Sequence, residues 1–287
     1  MIDKPLIIFH AHCLDGFGAA YAAWLHFGDG NCELHPASHG KGYPECDGRK
    51  VYILDFSYRR HVMEELCEHA ESVIVIDHHI SAFKDMQGLD SEIANPTLDF
   101  NMERSGAILA WQYFHPEKGL PDLLLDVEDR DIWKFEREGS ADRTAALMSY
   151  NFDMAQWHQW CSDSLTYQHL DREGAAINRF RRQMIERHKK RAIMGKISGH
   201  TVPIVNCPSE IISELVGELS VGHPFAAGFQ DSEEKRSWSL RSDGSDGEDV
   251  SQIASAFGGG GHKNASGFAT TQHFDFDLKP EEGDSIG

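Results

Sequence analysis

Three consecutive residues with metal-binding side chains, Asp77, His78 and His79, directly follow the short apolar run 72–76. The run is rich in β-branched residues, which predicts a buried strand of a parallel sheet. Ligands bind at the carboxyl ends of strands in open α/β sheets, and a carboxylate with two imidazoles is a common donor set for a divalent transition metal. Because a three-residue match is weak evidence, the alternative is a solvated turn with two surface histidines.

The same arrangement recurs where other apolar segments end. His10 and Asp15 lie on the loop after the predicted strand 6–9, where Gly16 allows a tight turn, and Asp55 follows a second predicted strand. An acidic cluster that contains Asp129 follows the apolar run at 123–125. Because the carboxyl ends of successive parallel strands meet at one edge of a sheet, we expect these side chains to converge.

The donor types of these segments indicate which metals and which chemistry would suit the site. Mixed histidine and aspartate donors suit manganese, iron, cobalt or zinc, and suit magnesium less well. A carboxylate shared between two ions would hold them roughly 3.5–4 Å apart, as in sites that clamp the attacking and leaving oxygens of a phosphoryl transfer. No nucleophile motif based on serine or cysteine stands out, which favours an activated water over a covalent intermediate.

A glycine cluster near the carboxyl end is the second strong signal. Gly258, Gly259, Gly260 and Gly261 precede His262, and backbone N–H groups without side chains in the way can approach a phosphate closely. Glycine-rich segments are often flexible linkers, but apolar segments flank this one on both sides. We therefore predict a phosphate-binding loop, to which Arg241 at the end of the preceding strand would add a bidentate contact.

Other candidates have weaker patterns. Ser105 can cap a helix that begins near it, and Arg104 is a candidate for contact with a substrate, although capping alone explains Ser105 equally well. Trp133, Trp157 and Trp160 are more typical of core residues than of a base-stacking surface.

Composition bounds the class of protein. The chain has 287 residues, 40% hydrophobic content and a net charge of −19. An acidic surface argues against a long duplex DNA partner, because non-specific affinity for nucleic acid comes from lysine and arginine. No segment resembles a signal peptide or a membrane span, and the six cysteines form no C-x-x-C pair, so we expect a cytoplasmic chain with free thiols. A homodimer is compatible with the sequence.

Alternation of strand and helix signals in the first half predicts an α/β fold, a doubly wound and mainly parallel sheet. We expect three regions: a metal-binding domain at 1–160, a helical linker at 161–195, and a smaller α/β domain at 196–287 that binds substrate. The basic run 179–191 is interpreted as a solvated helix face.

In their order along the chain, these segments resemble the DHH phosphoesterase superfamily, in members that carry the DHH-associated C-terminal domain. The resemblance covers most of the chain, and the combination of the DHH triplet with the later glycine-histidine motif makes it specific. Its motifs are His10–Gly16, Asp55, Asp77-His78-His79, Asp129, Ser239–Ser242 and Gly258–Phe268.

The resemblance implies a phosphodiesterase that usually uses two manganese ions. It implies that His10 and Asp15 hold one ion, that Asp55 bridges, and that His78 and Asp129 hold the other. It further implies that His79 contacts the scissile phosphate, that Asp77 orients the cluster, and that the substrate is gripped by Arg241 and the loop Gly258–His262.

The chain departs from the family pattern in its first motif. Many relatives carry two aspartates there, whereas here Asp15 stands alone and Cys13 lies two residues before it. Cys13 or His12 would then supply the missing ligand, or the second ion would be weakly held or absent. We expect hydrolysis of short oligonucleotides or of linear or cyclic dinucleotides, in the manner of an oligoribonuclease. The alternatives are a RecJ-like single-strand exonuclease and a non-catalytic nucleotide-binding protein.

Overall fold

The structure is a computed structural model that describes residues 4–93, 95–244 and 246–271. The chain divides into two compact units, with the boundary between Asn178 and Arg179. This boundary falls inside a long helix of the region that the sequence analysis assigns to a linker. No helix in the described ranges is long and apolar enough to cross a bilayer.

The first unit is built on a sheet whose strands are all parallel and lie in the order β2-β1-β3-β4-β5. Apolar runs with many β-branched residues form the three central strands, as the sequence predicts. The strands are β1 (Leu6–His10), β2 (Glu33–Ala37), β3 (Lys50–Leu54), β4 (Ser72–Asp77) and β5 (Pro96–Phe100).

Helices cover both faces of this sheet. Alternate strand side chains enter two separate cores: Ile7 and Phe9 pack on one face, while Leu6 and Ile8 pack on the other. This arrangement confirms the predicted doubly wound sheet. The helices are α1 (Leu14–Phe27), α2 (Arg60–His69), α3 (Ile80–Asp85), α4 (Leu89–Glu92), α5 (Gly106–Phe114), α6 (Asp122–Asp131), α7 (Ser140–Leu147), α8 (Met154–Ser162), α9 (Ser164–Gln168) and α10 (Leu170–Lys189).

Both edge strands, β2 and β5, lie outside the strands that the sequence analysis identifies. β2 contains Pro36 and β5 begins at Pro96, and each mixes exposed residues with buried or half-buried ones. Proline is tolerated at a sheet edge because no neighbouring strand needs its missing N–H. Because of this mixed composition, the edge strands are difficult to predict from the sequence, whereas the apolar central strands are easy to recognise.

The second unit is smaller and also α/β, as predicted. Its sheet has the order β10-β11-β9-β8-β7-β6, in which only the pair β7 and β8 is parallel. A helix packs in each of its two apolar cores, and Met184 and Ile185 from the end of α10 join the second core. The elements are β6 (Ile193–Ile197), β7 (His200–Asn206), α11 (Ser209–Ser220), β8 (Ala226–Asp231), β9 (Lys235–Arg241), α12 (Val250–Ala256), β10 (Gly260–His262) and β11 (Ala265–Thr271).

Part of the basic run 179–191 pairs with acidic residues of α11. Arg181 donates to the carboxylate of Glu214 at 2.8 Å, and Lys189 donates to that of Glu218 at 3.0 Å. Arg182 also contacts Glu218. The run is therefore a helix–helix contact in part, and its predicted role as a purely solvated face is too simple.

Candidate metal centre

The carboxyl ends of three adjacent strands carry the predicted metal-binding residues. His10 ends β1, Asp55 follows β3 directly, and Asp77 ends β4. Since these strands are neighbours in the order β1-β3-β4, their last residues lie side by side. A Cβ atom at Gly16 would lie 2.3 Å from the backbone oxygen of His10, so only glycine lets the start of α1 pack against the end of β1.

Asp55 lies at the centre of this cluster. Its side chain is buried, and its backbone adopts a left-handed conformation with φ of +53°, which is uncommon for a residue with a side chain. Its Oδ1 lies 3.1 Å from Nε2 of His78, and its Oδ2 lies 3.6 Å from Nδ1 of His10. Burial alone would raise the pKa of Asp55, but the facing imidazoles hold it below its usual value.

Three carboxylates surround the Nε2 atom of His78. Besides Asp55, the Oδ2 of Asp131 lies 3.5 Å away and the Oδ2 of Asp15 lies 3.7 Å away. Burial lowers the pKa of the His78 imidazole, but these negative charges raise it to about 10. The cluster thus places one imidazole where several carboxylate oxygens meet, which is the geometry of a cation site.

The carboxylate of Asp15 is fixed by the beginning of α5. Its Oδ2 accepts from the backbone N–H of Gly106 at 2.6 Å, and its Oδ1 accepts from that of Ala107 at 3.0 Å. A helix N-terminus favours a negative charge. Burial and the neighbouring carboxylates of Asp55 and Asp131 act in the opposite direction and raise the pKa of Asp15.

Asp77 orients the two histidines that follow it. Its Oδ1 lies 2.7 Å from Nδ1 of His79 and accepts from the backbone N–H groups of His78 and His79. Its Oδ2 accepts from the hydroxyl of Ser57 at 3.0 Å. Burial lowers the pKa of His79, but the hydrogen bond and the charge of Asp77 outweigh it and raise the pKa. This geometry supports the orienting role that the sequence analysis assigns to Asp77.

Asp129 lies away from the cluster, in contrast to the prediction. Its carboxylate accepts from the backbone N–H groups of Glu136 and Arg137 and contacts the hydroxyl of Ser140. The structure places Asp131 against His78 in its stead. Both aspartates lie in α6, where two residues correspond to a rotation of about 200°, so they point to different sides of the helix. The sequence therefore predicts that this acidic segment contributes to the site. It does not predict the rotation of α6 about its axis, which decides which aspartate faces His78.

Cys13 lies beside the cluster, whereas His12 is exposed. Ligand atoms of Cys13, His10 and Asp55 lie within 4.8 Å of one another. Burial and the nearby carboxylates raise the pKa of the thiol. Of the two residues that the sequence analysis left open for the missing aspartate, the structure thus brings Cys13 to the cluster.

Two predicted substrate contacts have structural partners. The guanidinium of Arg104 donates to both carboxylate oxygens of Glu128, at 2.6 and 3.2 Å. Ser105 is buried and caps α5 by accepting from the backbone N–H of Ile108. The ion pair thus accounts for Arg104, and the capping hydrogen bond accounts for Ser105.

In the second unit the glycine cluster begins the hairpin of β10 and β11. A Cβ at Gly259 would lie 2.1 Å from the backbone oxygen of Gly267, while Gly258 and Gly261 have positive φ angles of 77° and 139°. Close strand packing and backbone conformation thus explain these three glycines. A Cβ at Gly260 would meet nothing within 4 Å, so Gly260 has no such explanation.

Arg241 and His262 lie in one row of this sheet. His262 pairs with Ala265, which pairs with Arg241 on the next strand. Paired residues of neighbouring antiparallel strands project from the same face, so the two side chains flank a small alanine and are about 10 Å apart at the backbone. The guanidinium of Arg241 donates to the hydroxyl of Ser213 at 2.7 Å, and burial lowers its pKa.

Comparisons with known proteins agree with the fold. No protein-family model matches the chain. Uncharacterized protein R106 of Acanthamoeba polyphaga mimivirus is 28% identical, over 92% of this chain and 67% of that protein. Among solved structures, the DHH domain of a member of a ribosomal protein family superposes with a TM-score of 0.51 and 13% identity, over 92% of this chain and 82% of that one.

Two further structures are similar across nearly the whole chain. The pGpG-specific phosphodiesterase PggH of Vibrio cholerae has a TM-score of 0.50 and 15% identity, with 94% of each chain covered. RecJ of Thermus thermophilus in complex with Mn²⁺ has a TM-score of 0.50 and 16% identity, and this chain covers 50% of its length. The chain therefore has the fold of the DHH-domain proteins, which is the fold that its motifs predict.

The donor set fits divalent metal ions. Both carboxylate oxygens of Asp55 are buried and face the imidazoles of His10 and His78, and burial of a carboxylate is costly unless positive charge neutralises it. Groups of potential ligand atoms within 4.8 Å of one another share this neighbourhood: Asp55 with His10 and Cys13, Asp55 with the DHH triplet, and Asp15 with His78 and Asp131. Asp55 belongs to two of these three groups.

Proposed function

We propose that this chain is a metal-dependent phosphoesterase that hydrolyses phosphodiester bonds in short oligonucleotides or in linear or cyclic dinucleotides. The observation that carries the proposal is the buried carboxylate of Asp55, whose two oxygens face the imidazole of His10 on one side and that of His78 on the other. The ligands would be His10, Cys13, Asp15, Asp55, His78 and Asp131, with Mn²⁺ as the expected ion.

The side chains would divide the work of hydrolysis as follows. Bound divalent ions supply positive charge that polarises a phosphoryl oxygen and makes water more acidic. Asp77 holds His79 through Nδ1, which makes Nε2 of His79 the ring atom for a phosphate contact. A protonated His79 imidazole could donate from Nε2 to a negatively charged phosphoryl oxygen.

The second unit carries groups of its own that would suit a phosphate. Arg241 and His262 flank the small side chain of Ala265 on one face of the sheet. A buried guanidinium gains from an anionic partner, and an arginine can bind a phosphate through two parallel hydrogen bonds. Gly260 exposes backbone without a packing reason for lacking a side chain. These features support a grip on a terminal phosphate or nucleotide.

Charge favours a short substrate. A net charge of −19 opposes a long polyphosphate, whose non-specific binding depends on lysine and arginine contacts. The similarity to PggH, a pGpG-specific phosphodiesterase, points in the same direction. The equal similarity to RecJ keeps single-strand exonuclease activity as a second candidate.

The test is hydrolysis by the full chain with Mn²⁺ of three labelled substrates: a linear dinucleotide, a cyclic dinucleotide and a long single strand. We expect turnover of a dinucleotide, its loss with a chelator, and its loss in Asp55→Asn. Asp90→Asn, which changes an exposed aspartate in α4, is the matched control and should keep full activity.

The outcomes separate the candidates. Cleavage of the long strand alone would establish the exonuclease alternative and exclude the short-substrate proposal. Binding of a dinucleotide without turnover of any substrate would identify a non-catalytic nucleotide-binding protein. Equal activity of Asp55→Asn and the unsubstituted chain would show that the metal site is misassigned.

A further inference from the structure

Two exposed aromatic residues follow the metal centre in the sequence. Trp133 is 53% exposed and Phe135 is 38% exposed, and their ring centroids lie 4.9 Å apart with an interplanar angle of 80°. The sequence analysis assigns Trp133 to the core, and the structure contradicts this. Trp157 and Trp160, in contrast, are buried as predicted. Exposed large aromatic side chains that pair with each other and remain open to solvent require an explanation.

The backbone that presents these rings is strained. Trp133 and Phe135 have φ angles of +60° and +50°, a conformation that is an outlier for bulky side chains. Such conformations persist only where the surrounding structure enforces them, and they cluster at functional sites. Two such residues in one short loop indicate that the loop has been shaped to present their rings.

Asp129 enforces this loop conformation. Its backbone oxygen accepts from the N–H groups of Lys134 and Phe135, at 2.9 and 3.1 Å. Its carboxylate accepts from the N–H groups of Glu136 and Arg137, at 2.8 and 3.2 Å. Because Asp129 is itself buried, the loop is anchored at several successive residues and the two rings have a defined position.

The loop also adjoins the metal centre. Asp131, whose Oδ2 lies 3.5 Å from Nε2 of His78, is only two residues before Trp133. Two residues of chain span at most about 7 Å. The backbone that carries these rings therefore lies within reach of groups that adjoin a phosphate at the metal centre. In a nucleotide, the group joined to the phosphate through a single sugar is a base.

We propose that Trp133 and Phe135 form a stacking surface for a nucleobase of the substrate whose phosphate lies at the metal centre. The inference rests on the proposed function and adds a binding site to it. Stacking on an aromatic ring tolerates any base, since every base has a π-face. The two residues would therefore raise affinity for nucleotides over phosphate esters without a base, and would select weakly among the four bases.

Binding measurements on the full chain with Ca²⁺ in place of Mn²⁺ test the proposal, with two probes: a linear dinucleotide and ribose 5-phosphate, which has no base. We expect Trp133→Leu to weaken dinucleotide binding by roughly 5- to 150-fold and to leave ribose 5-phosphate binding unchanged. Trp133→Phe should retain most of the dinucleotide affinity. Tyr113→Leu is the matched control, because Tyr113 is an exposed aromatic residue near the C-terminal end of α5. This substitution should change neither affinity.

Each result has a defined meaning. Unchanged dinucleotide affinity in Trp133→Leu would overturn the stacking proposal, and if Mn²⁺-dependent hydrolysis persists in the unsubstituted chain, the proposed function stands. Equal losses of affinity for both probes would also overturn the stacking proposal, because they would show that the substitution damages the metal centre and not a contact with a base. If the unsubstituted chain bound neither probe, both the proposed function and the stacking surface would be overturned. If it bound the dinucleotide but hydrolysed none, the proposed function alone would be overturned.

Discussion

Replacing Gly106 by alanine tests the geometry of the metal centre directly. Gly106 begins α5 and donates its N–H to Asp15. A Cβ at this position would lie 2.5 Å from the Cβ of Asp55 and 2.8 Å from its Oδ1, whereas ordinary contact begins at 3.4 Å. Either Asp55 or the start of α5 must move, and the latter movement would disturb Asp15.

The expected magnitudes follow from this contact. Overpacking a tight site costs about 1–3 kcal/mol of unfolding free energy. Alanine in an unobstructed helix would instead stabilise it by about 1 kcal/mol relative to glycine, so the sign of the change is diagnostic. Binding constellations tolerate displacements of only about 0.5 Å, and disturbed support of metal ligands typically costs about 10- to 100-fold in affinity.

Two measurements check this prediction: urea unfolding of the metal-free chain and calorimetric titration with Mn²⁺. Gly119→Ala is the matched control in the same unit, because a Cβ there meets nothing within 4 Å. It should leave Mn²⁺ affinity unchanged and stabilise slightly, by about 0.4–1 kcal/mol. If Gly106→Ala behaved like Gly119→Ala in both assays, the close contact between α5 and Asp55 would be refuted.

Three further predictions concern single side chains. Asp77→Asn should weaken Mn²⁺ binding by about 10- to 100-fold because it loosens both histidines, and calorimetry should show no such loss for the exposed Asp99→Asn. Cobalt-loaded protein should show a thiolate-to-cobalt charge-transfer band that is absent in Cys13→Ser; persistence of the band would exclude Cys13 as a ligand. Asp126→Ala should cost about 3–5 kcal/mol in urea unfolding, because it leaves Arg137 and Arg143 without their buried partner. Asp122→Ala, at an exposed partner of Arg137, should cost less than about 1 kcal/mol, and similar losses in both variants would contradict the argument.

The sequence correctly predicts the strands whose ends form the candidate metal centre. Apolar runs with many β-branched residues identify β1, β3 and β4, and polar donors directly after such runs must lie at the same edge of a parallel sheet. His10, Asp55 and His78 therefore meet in the structure as expected. This part of the site depends on strand order and on position along each strand, which a local pattern can indicate.

Contributions from helices and loops are less predictable. The choice of Asp131 over Asp129 depends on the phase of α6 against the sheet, which is fixed by the packing of the whole helix. Spacing along the sequence leaves both residues as candidates, because each lies in the same acidic cluster. Similarly, Arg104 pairs with Glu128, which is 24 residues further along the chain.

The sequence by itself determined the α/β class, the strand ends that carry the metal ligands and the resemblance to the DHH superfamily, because these depend on local apolar runs and short motifs. Only the tertiary structure decided that Cys13 lies beside His10 and Asp55, that Asp129 anchors a loop, and that Trp133 faces solvent. These three outcomes depend on contacts between residues of different elements or on the rotation of a helix. A one-dimensional pattern does not contain that information.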